Sequence, residues 1–318
     1  MDIIFHPVFL EHETGDHPEN KKRLEALGNL PQTDISFDET LLTLFHTPEY
    51  IAKVKEFSAK CTALDPDTRT SPGSFKAAVA AVNATVMASE KQAFAVVRPP
   101  GHHSHPNRSE GFCIFNNVAI ATANLVKQGK RVFVFDFDGH LGDGTEEFFY
   151  DTDQVLYWSL HQKDGFPLKG DVDEIGTGKG VGYTVNVPLP AHAGDDAYMQ
   201  AVETLAPVAL QFKPDIVAVS AGFDAHGSDT LLQLDLSANT FYKLGVWLRK
   251  NFSNIFATLE GGYNLETFPS CFYNFLDGVN GKEQRFRESS TESTIQVLDQ
   301  VTLDLDRLTT NLSKFWKL

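Results

Sequence analysis

Five short runs rich in β-branched and aromatic residues, 93–97, 131–135, 155–160, 215–220 and 255–259, alternate along this chain with segments of helix length. Each run is as long as a strand and has no polar face, the pattern of a strand buried on both sides. Segments 71–90, 116–128, 195–211 and 237–251 between them carry apolar residues at helical spacing. This alternation predicts an α/β fold with a central, mainly parallel sheet flanked by helices on both faces. Residues 1–10 read as a first strand. Ser71-Pro72 reads as a helix cap followed by proline at the first helical position, and Ser237 as a second cap. Residues 293–318 repeat apolar side chains at helical spacing (Ile295, Val297, Leu298, Val301, Leu303, Leu305, Leu308), which predicts a helix packed on the domain or on another subunit of a homo-oligomer. The glycine-rich stretch 176–182 lacks nucleotide-loop spacing and reads as a surface loop. No repeat or low-complexity linker divides residues 1–318, so they read as a single domain.

Charge narrows the partners. Twenty-seven Lys and Arg against 42 Asp and Glu leave a net charge of −15, which repels nucleic acid phosphates and anionic lipid and suits a neutral or cationic small ligand. Cys61, Cys113 and Cys271 are too scattered for a disulfide framework, as expected in a reducing, cytoplasmic setting. The first ten residues lack the basic and apolar regions of a secretory signal, and no run approaches the ~20 apolar residues of a membrane span.

Ligands of open α/β sheets bind beyond the carboxyl ends of the strands. There the sequence places Arg98-Pro-Pro-Gly-His-His103, Asp136-Phe-Asp-Gly-His140, His161, Ala221-Gly-Phe-Asp-Ala-His226 and Glu260-Gly-Gly-Tyr263. Asp138 and His140, two apart, leave the chain on one side and can meet one ion, with Asp224 as a third ligand from a later strand. One imidazole and two carboxylates leave a coordination position open, as a catalytic zinc site requires, although an oxygen-rich set also suits ferrous iron or manganese. The tandem His102 and His103 each need an orienting partner, and Asp136 and Asp143 are placed to supply two His-Asp dyads. His103 would take a proton from the attacking water and return it to a leaving amine, while His102 tunes the charge of the site. Tyr263, after two glycines, would donate its hydroxyl to a carbonyl turning tetrahedral.

The ordered stretches His12-Glu-Thr-Gly-Asp-His-Pro-Glu19 with Arg23, Leu64-Asp-Pro-Asp-Thr68 with Ser71-Pro-Gly-Ser74, Arg98-Pro-Pro-Gly-His-His103, Gly111-Phe-Cys-Ile-Phe-Asn-Asn117, Asp136-Phe-Asp-Gly-His140, Ser159-Leu-His161, Ser220-Ala-Gly-Phe-Asp-Ala-His226 and Glu260-Gly-Gly-Tyr-Asn-Leu265 resemble the histone deacetylase and acetylpolyamine amidohydrolase superfamily, especially its bacterial class II-type members. The resemblance implies an arginase/deacetylase-like three-layer fold and a zinc-dependent amidohydrolase acting on an acetyl-lysine-like or other small N-acyl amine. Acetylpolyamine hydrolysis and a non-catalytic acyl-amine binding module of the same fold are the alternatives. It further implies zinc on Asp138, His140 and Asp224, catalysis by His102, His103 and Tyr263, and an acyl-lysine channel walled by Phe112 and Phe166 beside Gly111. A structural potassium ion is implied near Asp136, Asp138, His140, Ser159 and Leu160, and a remoter one near carbonyls of Phe149, Thr152, Val155 and Tyr183.

The chain departs from that family at several points. Leu141 replaces a second histidine, Gly139 an aliphatic residue, and Asp229-Thr-Leu-Leu-Gln233 the usual Asp-Pro-Leu-Gly-Gly run. Leu231 aligns with the gatekeeper glutamate of polyamine-specific members, and Lys21 with a proline. The strand-end motif Val134-Phe-Asp-Phe-Asp-Gly139 also mimics a haloacid-dehalogenase-type phosphatase, but His140 stands where that chemistry needs Thr or Ser. A dimanganese ureohydrolase would need further aspartates where Gly139 and Leu141 lie.

Overall fold

The apolar runs become the strands of one sheet in a computed structural model, which describes residues 1–318. The strands are β1 (Ile3–Ile4), β2 (Phe94–Ala95), β3 (Val132–Asp136), β4 (Val155–Gln162), β5 (Thr184–Leu189), β6 (Ile216–Ala221) and β7 (Ile255–Leu259). All seven are parallel, in the order β1-β2-β7-β6-β3-β4-β5. The helices are α1 (Lys22–Glu25), α2 (Pro48–Ala59), α3 (Ser74–Lys91), α4 (Asn117–Lys127), α5 (Asp143–Phe149), α6 (Asp195–Phe212), α7 (Ala238–Asn251), α8 (Phe268–Val279) and α9 (Ile295–Leu312). No helix is long and apolar enough to cross a membrane.

Helices cover both faces of the sheet, which is why its central strands can be apolar throughout. α3 and α4 pack together against β7, β3 and β6, with Thr85 of α3 meeting Thr258 of β7 at 3.0 Å. On the opposite face Trp247 of α7 lies 5.5 Å, centroid to centroid, from Phe135 of β3. α6 rests on β4, and α9 on β5 and α6. Asn116 caps α4 by accepting from the Ala119 N–H, and Ser237 caps α7 by accepting from Asn239.

Register and order together place the site. Ser159, Asp136, Ser220 and Thr258 are partners across β4, β3, β6 and β7, a polar row on one face toward the carboxyl ends of these strands. The chain runs outward from β3 through β4 to β5, then returns to the other side of β3 for β6 and β7. A crevice opens where that direction reverses, between the ends of β3 and β6.

Some local expectations are corrected. β5 went unread in the sequence because Pro188 and Asn186 interrupt its apolar run. The expected first strand over residues 1–10 is a two-residue strand followed by a 3-10 turn, Pro7–Glu11. Ser71 does not cap α3, which begins at Ser74. The Ser71 hydroxyl instead accepts from the Glu13 N–H and donates to the Glu11 carbonyl, tying the amino-terminal segment to the helix. α9 buries Val301, Leu305, Leu308 and Leu312, while Ile295 and Leu303 face outward.

Candidate active site

Asp138 and His140 leave the end of β3, and Asp224 the end of β6. His140 Nδ1 lies 3.1 Å from Asp138 Oδ1 and 3.0 Å from Asp224 Oδ2, and the three ligand atoms fall within 4.8 Å of one another. Both carboxylates are fully buried. Their positions are fixed by backbone donors, Gly261 N–H to Asp138 Oδ2 and Gly139 N–H to Asp224 Oδ1, each at 2.8 Å. A Cβ at Gly222 would overlap Asp138 Oδ2 and one at Gly261 would overlap Asp224 Oδ2, so bare backbone forms the cradle in which the acids sit.

Two acids desolvated side by side require a positive charge between them. Burial and the Asp138 charge push Asp224 up to about 6. Burial would raise Asp138 too, but the charges of His102 and His140 hold it below the usual carboxylate range. Burial would lower His140, yet Asp224 and Asp138 raise it to about 10. A divalent cation satisfies the same demand, and one nitrogen with two carboxylates fits zinc with a position left open. The residues therefore fit a metal.

The tandem histidines meet the two aspartates assigned to them in the sequence. His102 Nδ1 lies 3.2 Å from Asp136 Oδ2, and His103 Nδ1 3.0 Å from Asp143 Oδ1. The Tyr157 hydroxyl also donates to Asp136 Oδ2 at 3.1 Å. Burial and the neighbouring His102 charge push His103 down to about 4 despite Asp143, so at neutral pH its ring is an uncharged base. His102 is held well above its ordinary value, because Asp138 and Asp136 outweigh its burial.

Aromatic rings stand around this group. Phe166, 43% exposed, lies 5.0 Å from the His103 ring and 6.4 Å from that of His140. Phe112, at a left-handed φ of 69°, lies 5.7 Å from Tyr263. Gly111 backs onto His103. The Tyr263 phenol is raised well above its usual value by burial, against the opposing charge of Arg23, with Asp224 and Asp138 adding to the rise, so it stays a hydrogen-bond donor. Leu231 lies at the surface, whereas the next residue, Leu232, reaches inward so that its Cδ1 fills the space a Cβ at Gly139 would need.

Among the positions associated with potassium, Asp136 is the register partner of Ser159, whose hydroxyl meets His161 Nδ1 at 3.0 Å, and Leu160 is fully buried. At the remoter group, the Phe149 carbonyl accepts from Thr152 and that of Tyr183 from Tyr157, with Val155 opening β4.

Several supports were not singled out from sequence. The buried Glu260 carboxylate accepts from the Gly101 and His102 N–H groups at 2.7 and 3.2 Å, aiming the histidine turn. Asp229 Oδ2 accepts from the Tyr263 and Asn264 N–H groups at 2.7 and 3.1 Å, aiming the tyrosine. Arg23 donates to the carbonyls of Gly262 and Glu260, and its guanidinium lies 4.9 Å from the Tyr263 ring. His105, the third histidine in four residues, shares Asp143 with His103. Arg23, Asp229 and Glu260 lie within the motif stretches, which gave them no role, and the signal for His105 was its place beside the histidine pair.

Comparison with known proteins bears on what this arrangement is. A model of the histone deacetylase domain matches residues 17–279. The chain is 38% identical over 292 residues to a probable deacetylase of Archaeoglobus fulgidus, covering 83% of this chain and 81% of that protein. It is 33% identical over 299 residues to a histone deacetylase-like amidohydrolase of Pseudomonas aeruginosa, covering 86% and 78%. A crystal structure of the HDA15 HD domain superposes with a TM-score of 0.89 at 28% identity, over 98% of each chain.

Proposed function

The chain belongs to the histone deacetylase family, and from that membership we propose that it is a zinc-dependent amidohydrolase that removes an acetyl or other small acyl group from a primary amine of lysine-like shape. One observation carries the reading. Asp138, His140 and Asp224 converge on a single point, and the ring of an uncharged, Asp-paired histidine, His103, stands 6.0 Å from that of His140. Metal-dependent hydrolysis uses both a metal group and a base beside it, whereas binding an acyl amine calls for no proton-transferring base. Eighty-three buried apolar residues form one cluster, which supports a single catalytic domain.

Asp138, His140 and Asp224 would hold the zinc, which supplies a Lewis acid to polarise the acyl carbonyl and to make water more acidic. His103, with its Nδ1–H donated to Asp143, presents Nε2 as the base that takes a proton from the attacking water. The same Nε2–H then protonates the leaving amine as the carbon–nitrogen bond breaks. The Tyr263 hydroxyl donates to the acyl oxygen as charge builds on it. His102, tied to Asp136, holds positive charge beside the developing oxyanion. Phe112 and Phe166 offer flat walls that grip an aliphatic stem and admit a planar amide, with Gly111 beside them against His103 and Leu231 at the surface. Asp136, Ser159 and the backbone around Asp138, His140 and Leu160 would hold a structural potassium ion, which steadies the strand ends bearing the ligands.

The test is a panel of acetyl-lysine peptides, acetylpolyamines and longer N-acyl amines assayed with protein loaded with zinc or with ferrous iron, read as kcat/KM. Hydrolysis of none of them overturns the reading. Tyr263→Phe should lower kcat by about 10²–10³ while metal content stays at the wild-type level, the loss expected of one oxyanion donor.

A further inference from the structure

Asp143 is shared. Its Oδ1 meets His103 Nδ1 at 3.0 Å, and its Oδ2 meets Nε2 of the fully buried His105 at 3.1 Å. His105 in turn meets side chains that reach the surface. Its Nε2 is 3.3 Å from Glu110 Oε2, and its Nδ1 is 2.7 Å from Oε2 of the exposed Glu147, though not aligned as a hydrogen bond. Arg108 Nη2 stands 2.8 Å from the same Nε2, and since a guanidinium only donates, the Asp143 contact takes the tautomer with its proton on Nε2, which leaves Arg108 to pair with Glu110, its Nε 3.3 Å from Oε2. Lys169 Nζ lies 3.9 Å from Asp143 Oδ2, and the His105 carbonyl meets His46 Nδ1 at 3.1 Å. His105, Glu110 and Asp143 are close enough to hold an ion, but Arg108 already brings a positive charge to that point.

We infer that His105 is a positioning residue for the His103–Asp143 dyad: by occupying the second oxygen of Asp143 it fixes the carboxylate plane and sets how much negative charge the first oxygen offers His103. The argument is geometric. A carboxylate held through one oxygen rotates about its Cβ–Cγ bond, whereas one held through both keeps its orientation unless a second hydrogen bond breaks. Asp143 opens α5 directly after the metal-binding loop and has no side-chain acceptor role other than these two rings and the distant Lys169. Burial would raise the Asp143 carboxyl, yet hydrogen bonds from both His103 and His105 hold it below its usual range, in keeping with a shared acceptor. Loss of the His105 donor concentrates charge on Oδ1, which makes His103 more basic and its ring less firmly aimed. The inference rests on the reading of His103 as the proton-transferring group.

The experiment compares His105→Phe with His105→Gln, whose amide can restore a donor to Asp143. Steady-state kinetics should show kcat lowered about 10-fold in His105→Phe with KM nearly unchanged, and the acid limb of the kcat/KM profile moved to higher pH. His105→Gln should recover most of the loss. Independently of turnover, nitrogen-15 histidine spectra of the wild type and variants should show the His103 Nδ1 proton resonance displaced in His105→Phe and restored in His105→Gln. A phenylalanine variant with wild-type kcat and an unmoved His103 resonance overturns the inference, as does a kcat loss that the glutamine fails to recover while both variants keep the wild-type resonance. If His105→Phe does not fold, His105→Asn, too short to reach Asp143, carries the same comparison. Wild-type protein that hydrolyses nothing would overturn the proposed function, and the resonance comparison would still decide the His105 contact.

Discussion

Glu19→Gln should destabilise the protein by about 3–5 kcal/mol, the usual cost of leaving buried charge unpaired. Glu19 is buried and joined to two buried arginines. Arg98 binds it through Nε and, at 2.7 Å, through Nη2, while Arg23 Nη1 lies 3.3 Å away and His12 Nε2 3.5 Å. The guanidiniums otherwise donate hydrogen bonds only to carbonyls, those of Phe9, His12 and Glu19 for Arg98 and those of Gly262 and Glu260 for Arg23, and Arg23 also faces the Tyr263 and Phe268 rings, none of which carries a negative charge. Removing the carboxylate charge therefore strands two cations in the interior, and the loss is a large share of the ~5–15 kcal/mol that holds a typical fold. Urea denaturation should show the midpoint lowered by on the order of 1 M or more with little change in slope. The acid side should respond too. Burial would raise Glu19, but Arg98 and His12 hold it well below 4.5, so its stabilisation is present above that value and decays as pH falls. The variant should lose that part of the acid-side slope. A midpoint within experimental error of the wild type would refute the reasoning, because it would mean the arginine charges are balanced by something other than Glu19.

Three further outcomes are expected. Metal binding should raise the thermal midpoint of stripped protein in proportion to the logarithm of added zinc, and Asp224→Asn should abolish that shift in a calorimetric or dye-based melt, because the site holds ions only in the folded chain. Gly139→Ala should impair metal retention by forcing Leu232 Cδ1 out of the space it fills, and Leu232→Ala should restore retention in the double variant; independent, additive effects would contradict the contact. Burial pushes Glu146 up to about 8, so its protonated native form contributes stability below pH 4.5 that is lost as pH rises through about 8. Glu146→Gln, which keeps an acceptor for the Asn186 amide 2.6 Å away, should therefore gain stability relative to the wild type between about pH 5 and 8, and a constant difference across that range would count against the buried acid.

The fold was legible in the sequence wherever burial on both faces left a continuous apolar run, as in β3, β4, β6 and β7. It was illegible at β5, where Asn186 and Pro188 sit in the edge strand of the sheet, and at Ser71, whose cap-like context with Pro72 gave way to a tertiary bond with Glu11 and Glu13. The candidate metal group was visible because its residues lie at the ends of apolar runs, and parallel strands deliver all such ends to one edge. Sequence alone thus determined the α/β class, the candidate metal triad and the histidine pair, since these follow from periodicity and from residue types that cannot be buried without partners. Tertiary structure alone decided that Asp143 serves two histidines, that Leu232 fills the gap over Gly139, and that Glu19 neutralises two arginines from separate segments. Those pairings join residues far apart in the chain or on different loops, and no local spacing encodes which distant side chain arrives to satisfy a buried charge or an empty volume.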